Sequence, residues 1–395
     1  MLRRAALTII IVLGAPLVAS AQPQPAAPAN ANAHPIDDAV RNTVKVFYSD
    51  RYVMGGHAWE TTRKSGWVAA SLRANPIPGI EVVEPNPLTE SDILKVHHPA
   101  YVNAVKTGGP DFLAESQEFK WDPGLFPMVL ASNGGAVDAA LTALKDGGVA
   151  GSLSSGLHHA KYFRGDGFCT FNGLALAANA ALENGARRVL ILDLDAHFGG
   201  GTHSLVAVDP RIRHVDISTD PVDAYEPLGA NTADFVRRPQ DYLKTLKKRL
   251  AGLEGQDFDL LIYNAGMDPY ENVPIGGLKG ITTDVLAARE KIVFDWAASR
   301  GIPTAFVLAG GYLGPKLAED GLVALHRLTL DAAAKARATF SEWASKLSGR
   351  SPSAPDESRG TGRVAFERAP RGVGLDNVLD ARMRGAVDVR EASER

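Results

Sequence analysis

The sequence predicts an α/β domain built on a mainly parallel sheet, and three features carry that prediction. Short β-branched or Leu-rich runs recur through the middle of the chain. Most are apolar on both faces, and longer helical patterns lie between them. Strands buried on both sides read this way when helices cover both faces of a parallel sheet. Strand and helix in alternation belong to that class.

The clearest runs are Gly148 to Leu153, Arg188 to Leu194, Ile212 to Ile217, Phe258 to Asn264 and Ile302 to Ala309. Helical stretches are expected over Gly173 to Asn184, Asp241 to Leu253 and Thr283 to Ser299. The last starts at a Thr cap and stops at Gly301, with Pro303 beyond, a common helix exit. One domain is expected over residues 36–347.

The ends read differently. Arg3 and Arg4 precede an apolar run from Ala5 to Ala19, and Ala19-Ser20-Ala21 offers an A-x-A cleavage site. Residues 1–21 are therefore expected to be a signal peptide, because a run interrupted by Gly14 and Pro16 is short for a span of ~20 residues. The expected location is secreted or periplasmic, with no stable membrane insertion after cleavage. Loss of two arginines would move the formal charge from -3 to -5. Residues 22–35, rich in Pro, Ala, Asn and Gln, read as a disordered linker. Residues 348–395 read as a disordered tail with one marginal helix near Leu375 to Arg384. A mildly acidic chain without a basic block excludes an electrostatic footprint for nucleic acid.

Ligands in open α/β sheets bind beyond the carboxyl ends of the strands, and there the polar residues gather. Ser154-Ser155-Gly156-Leu157-His158-His159 follows one run, and Asp193-Leu194-Asp195-Ala196-His197 ends another. Asn264-Ala265-Gly266-Met267-Asp268 and Ala309-Gly310-Gly311-Tyr312 end two more. Residues two apart share a face of an extended chain, so Asp193, Asp195 and His197 point the same way. Paired carboxylates out of water need a cation, and adding an imidazole suits Zn, Fe(II) or Mn(II). Asp268 from another strand end completes three ligands with an open position, as in a catalytic site. One imidazole of His158-His159 can act as general base while its partner stabilises charge, and Tyr312 offers a phenol to a carbonyl. Glycines such as Gly156 and Gly310 let backbone approach a ligand closely. His97-His98, before Pro99 at a helix start, reads as structural.

At these residues the chain resembles the zinc-dependent histone deacetylase and acetylpolyamine amidohydrolase superfamily. The matching blocks are Gly156 to Ala160, Gly167-Phe168-Cys169-Thr170-Phe171-Asn172, Asp193 to His197, Ala265-Gly266-Met267-Asp268 and Gly310-Gly311-Tyr312. His57 and the run Val96 to Val102 are weaker echoes. The resemblance implies a three-layer α/β/α, arginase/deacetylase-like fold, and a deacylase of N-acetyl or N-acyl amines such as acetyl-lysine or acetylpolyamine. It implies Asp195, His197 and Asp268 as zinc ligands, with Fe2+ as a second candidate metal. It makes His159 the general base, His158 its electrostatic partner oriented by Asp193, and Tyr312 the group on the acyl oxygen. Phe168 would line the substrate tunnel, with Gly156 and Gly310 beside the substrate and Cys169 in the pocket wall. A structural K+ is implied at Asp193, Asp195 and His197, near the segment Asp216 to Ser218.

Two departures stand out. Gly200 occupies the position where many members carry an Asp or Asn that orients the second histidine, so His159 is expected to lack a carboxylate partner and to lose basicity. The run Tyr225 to Gly229 lacks the usual Pro-Gly-rich rim. A two-manganese ureohydrolase is the rival enzyme, although Gly199 stands where its further Asp belongs. A non-catalytic binding protein of the same fold is the other rival.

Overall fold

A computed structural model describes residues 43–55, 60–154 and 157–348. The expected signal peptide, linker, tail helix, His57 and Gly156 lie outside the described residues.

Eight strands alternate with ten α-helices along the described chain. β1 (Val44–Phe47), α1 (Glu60–Ala74) and β2 (Ile80–Val83) lead to α2 (Glu90–Ile93), α3 (Pro99–Thr107), α4 (Asp111–Ala114) and α5 (Leu125–Asp146). β3 (Val149–Ser152), α6 (Gly173–Glu183), β4 (Val189–Asp193), α7 (Gly200–Val206), β5 (Ile212–Ser218) and β6 (Thr232–Phe235) follow. α8 (Pro239–Ala251), β7 (Leu260–Ala265), α9 (Thr283–Ser299), β8 (Thr304–Leu308) and α10 (Glu319–Ser348) complete the fold.

All eight strands form one parallel sheet, in the order β2-β1-β3-β8-β7-β4-β5-β6. The five runs expected from sequence are β3, β4, β5, β7 and β8. The other three, β1, β2 and β6, each carry at least one exposed position. β2 and β6 form the two edges of the sheet, and Ile-Glu-Val-Val and Thr-Ala-Asp-Phe are half-exposed and each interrupted by a charged residue.

Alternation along each strand divides the interior in two. Leu190, Leu192, Leu261, Tyr263, Phe306 and Leu308 face a core shared with α1, α8, α9 and α10. Val189, Ile191, Leu260, Ile262, Ala305 and Val307 face the other, packed against α3, α5 and α6. The period of two thus makes both faces apolar, which is why these strands read as continuous runs. The result is the three-layer arrangement. Thr282 caps α9 by accepting from Val285 N, and Gly301 beyond its end has φ 63°. Among the described residues no helix is long and apolar enough to cross a membrane.

One buried side chain ties the helical layer to the functional edge of the sheet. Arg289 on α9 is fully buried and donates to the carbonyls of Leu194 (3.2 Å) and Gly266 (2.6 Å). Its charge is met by Glu290 at 2.6 Å, which also accepts from Tyr263 Oη at 2.8 Å. Removing one partner of a buried pair strands the other, at a cost of about 3–5 kcal/mol. Arg289→Ala should therefore lower the unfolding free energy by about that amount. Urea titration of both proteins checks it, and a loss of a few tenths of a kcal/mol would contradict the bracing role.

Candidate metal centre and its histidine pair

The four central strands, β3, β8, β7 and β4, deliver the site residues at their carboxyl ends. Asp193 closes β4, Asp195 and His197 follow it, Asp268 follows β7, Tyr312 follows β8, and His158-His159 follow β3. These residues are all buried.

Asp195, His197 and Asp268 bring one ligand atom each within 4.8 Å of one another. His197 Nδ1 stands 3.1 Å from Asp195 Oδ1 and 3.2 Å from Asp268 Oδ2. The remaining carboxylate oxygens are held by backbone: Gly310 N donates to Asp195 Oδ2 (2.7 Å) and Ala196 N to Asp268 Oδ1 (2.9 Å). A Cβ on Gly310 would fall 1.9 Å from Asp268 Oδ2, so only glycine permits this approach.

The donor set fits a divalent ion. Burial and the neighbouring Asp195 push Asp268 up to about 6. Against the cost of its burial, the two carboxylates push His197 up to about 11. Asp268 Oδ2 is buried, and among the described residues no backbone group donates to it; its near neighbour is the His197 ring. These are the marks of carboxylates short of positive charge, which a metal ion would supply.

The histidine pair lies beside this group, its two ring centroids 4.0 Å apart. His158 Nδ1 is 2.8 Å from Asp193 Oδ2, and Asp193 Oδ1 accepts from Asn264 Nδ2 (2.8 Å) and Asp195 N (3.2 Å). Burial alone would lower the pKa of His158, but Asp193 and Asp195 outweigh it and push the ring up to about 10.

The expectation of an unpartnered His159 does not hold. Its Nδ1 lies 3.0 Å from Asp223 Oδ2, a carboxylate from the loop between β5 and β6. Lys161 approaches the other oxygen of Asp223 at 2.8 Å. The pKa of His159 is lowered, as expected, but for another reason: burial comes first, then the charge of His158, with Asp223 opposing both.

Phe168 has φ 64°, stacks on Phe119 at 5.6 Å and meets the Tyr312 ring edge-on at 6.1 Å. Tyr312 in turn lies 6.5 Å from the His197 ring, centroid to centroid. These aromatic rings form a wall beside the metal group. Cys169 is buried, and burial pushes its thiol up to about 12, far from the thiolate a nucleophile needs. His97 is a bridge: Asn172 N donates to its Nε2, and its Nδ1 faces the Lys161 carbonyl, both at 2.9 Å. His98 caps α3 by accepting from Ala100 N.

A second group, Asp193, His214 and Asp216, also gathers three ligand atoms within 4.8 Å. Tyr225 belongs to it rather than to the rim. It stacks on His203 at 4.1 Å, and its hydroxyl lies 3.2 Å from His214 Nδ1 and 3.1 Å from Asp216 Oδ2.

Sequence reasoning did not single out Asp223, Lys64 or Arg289. Lys64, fully buried on α1, donates to the Ala309 carbonyl beside Gly310, and burial pulls its pKa down to about 8. None of the three lies in a strand-end motif. The one available signal was negative: the vacancy at Gly200 required a carboxylate from elsewhere.

The chain is similar in sequence and in fold to known proteins. Residues 57–327 match the model of the histone deacetylase domain. A probable deacetylase of Methanothermobacter thermautotrophicus is 30% identical over 296 residues, covering 68% of this chain and 85% of that protein. The acetylpolyamine amidohydrolase of Mycoplana ramosa is 23% identical over 334 residues, covering 71% of this chain and 94% of its own. Histone deacetylase 2 of Arabidopsis thaliana is 28% identical over 260 residues, covering 59% of this chain and 63% of that protein. In fold, the crystal structure of an acetylpolyamine aminohydrolase from Burkholderia pseudomallei superposes with a TM-score of 0.61 at 20% identity, covering 73% of this chain and 98% of that one. With a family model spanning well over half its length and a buried metal-type triad beside a histidine pair, the chain belongs to the histone deacetylase family.

Proposed function

We propose that this protein hydrolyses the amide of an N-acetylated or N-acylated amine at a single divalent metal, zinc first and iron(II) second. Its family makes it a hydrolase acting on amide bonds. The observation that carries the finer reading is the meeting, in one buried locus, of the Asp195–His197–Asp268 group with His158, His159 and Tyr312.

Bound there, such an ion would supply Lewis acidity toward the amide carbonyl and toward water. His159 takes the proton of the attacking water through Nε2, its Nδ1 being engaged by Asp223. His158, held by Asp193, is its electrostatic partner. The Tyr312 hydroxyl donates to the acyl oxygen as charge develops on it. Water adds to the carbonyl carbon, the C–N bond breaks, and His159 passes its proton to the leaving nitrogen. A carboxylate and a free amine result.

Charge and chemistry favour one metal over two. The two buried acid groups share no residue, and Asp193 is already committed to His158, Asn264 and Asp195 N. Asp193 is therefore not free to bridge a metal pair. The same buried negative charge around Asp193 and Asp216 supports a monovalent cation, K+, as a structural companion. The substrate class proposed is a small or peptide acyl-amine, acetylpolyamine or acetyl-lysine. An export signal in residues 1–21 would place that substrate outside the cytoplasm.

The test is release of carboxylate from acetylpolyamines and from acetyl-lysine peptides by the full chain. Chelation should abolish turnover and added Zn2+ or Fe2+ restore it, whereas metal-independent release would point elsewhere. His159→Ala should lower kcat about 10³-fold, and Tyr312→Phe about 10²-fold, each with metal content unchanged. Bound metal with no turnover of either substrate would favour the binding-protein reading.

A further inference from the structure

The loss of the orienting residue at position 200 and the arrival of Asp223 are one substitution made in space. A Cβ on Gly200 would lie 2.4 Å from the Asp223 carbonyl oxygen and 2.6 Å from Asp223 Oδ1. The carboxylate of residue 223 therefore fills the volume that a side chain at 200 would need. From that place Asp223 Oδ2 also accepts from Gly201 N at 3.0 Å, and Oδ1 takes the Lys161 ammonium at 2.8 Å. Asp223 stands at φ 57°, a left-handed conformation that Asp tolerates better than most residues.

We propose that Asp223 is the positioning residue for His159, and that Gly200 is glycine because Asp223 occupies its side-chain space. Ion pairing to Lys161 and the Gly201 N–H keep the carboxylate ionised, so His159 donates through Nδ1–H and presents Nε2 as the acceptor. Lys161 carries the coupling further. Its ammonium also meets Asp166 at 3.2 Å, and Asp166 N donates to Cys169 O at 3.1 Å across the turn. That turn contains Phe168, so one cation clamps the loop that orients the base to the loop that forms the aromatic wall. This inference rests on the deacylase reading for its kinetic readout, and has a second readout that does not.

The experiment uses the full chain loaded with Zn2+ and 15N-labelled histidine, with acetylpolyamine as substrate. Asp223→Ala is expected to lower kcat about 10–100-fold with KM changed less than about threefold. Asp223→Asn, which keeps an acceptor at Nδ1, should recover most of that loss. Gly200→Ala should lower kcat by displacing Asp223. In the 15N spectrum, the His159 signal, assigned by its disappearance in His159→Ala, should show protonated Nδ1 in the unaltered chain. It should lose that fixed tautomer in Asp223→Ala. Thermal unfolding and zinc content verify folding, and Asp223→Ser replaces the alanine variant should that one not fold. A kcat within about threefold of the unaltered chain, with an unchanged His159 tautomer, would overturn the assignment. If the unaltered chain shows no turnover, the deacylase reading fails and the tautomer alone decides: its loss in Asp223→Ala supports the positioning role, its persistence refutes it.

Discussion

Four aspartates, Asp193, Asp195, Asp216 and Asp268, lie out of water at one edge of a parallel sheet, and their burial is the constraint on which the rest of the structure depends. Each isolated carboxylate in such a place is costly unless it is hydrogen-bonded and charge-compensated. Backbone N–H groups answer the first need: those of Asp195, Ala196, His197, Gly199 and Gly310 all point at carboxylate oxygens. They can do so because the chain leaves the strands in short turns at this edge. The second need is met by imidazoles and, in the reading proposed, by a metal ion. Stability and function share the same electrostatic problem here.

The braces for this edge come from behind it. Arg289 and Lys64 are buried cations that bond carbonyls of the strand-end turns, not the carboxylates themselves. They fix the backbone at Leu194, Gly266 and Ala309, and Lys64 adds positive charge near Asp195 and Asp268. A carboxylate cluster held in this way keeps its geometry with its ligand atoms free for coordination.

The two members of the histidine pair draw their carboxylate partners from different parts of the chain. His158 takes its partner from the end of β4, the next strand along the chain, which lies beyond β8 and β7 in the sheet. His159 takes its partner from a loop entered two strands along the chain, through space that a glycine leaves open. Both rings have a carboxylate near Nδ1. The fold offers more than one segment able to supply it.

Much of the fold was legible in the sequence because both sheet faces are buried, so the five strands with no exposed position announce themselves as apolar runs, and Thr282 and Gly301 punctuate α9. The short strands β1, β2 and β6 were silent, since four residues with exposed positions carry no period to read. The metal group was legible for a related reason: Asp195, His197, Asp268 and the histidine pair follow strands directly, and a parallel sheet aligns all its carboxyl ends on one edge. Chain order is enough to bring them together. The partner of His159 was not legible. Asp223, Lys161, Lys64 and Arg289 reach the site from loops and helices whose positions are set by packing, and no spacing along the chain encodes a contact made through the empty side-chain volume of Gly200. Sequence alone determined the sheet and the residues gathered at its edge; tertiary packing decided which carboxylate meets His159, because that choice is a matter of space between segments.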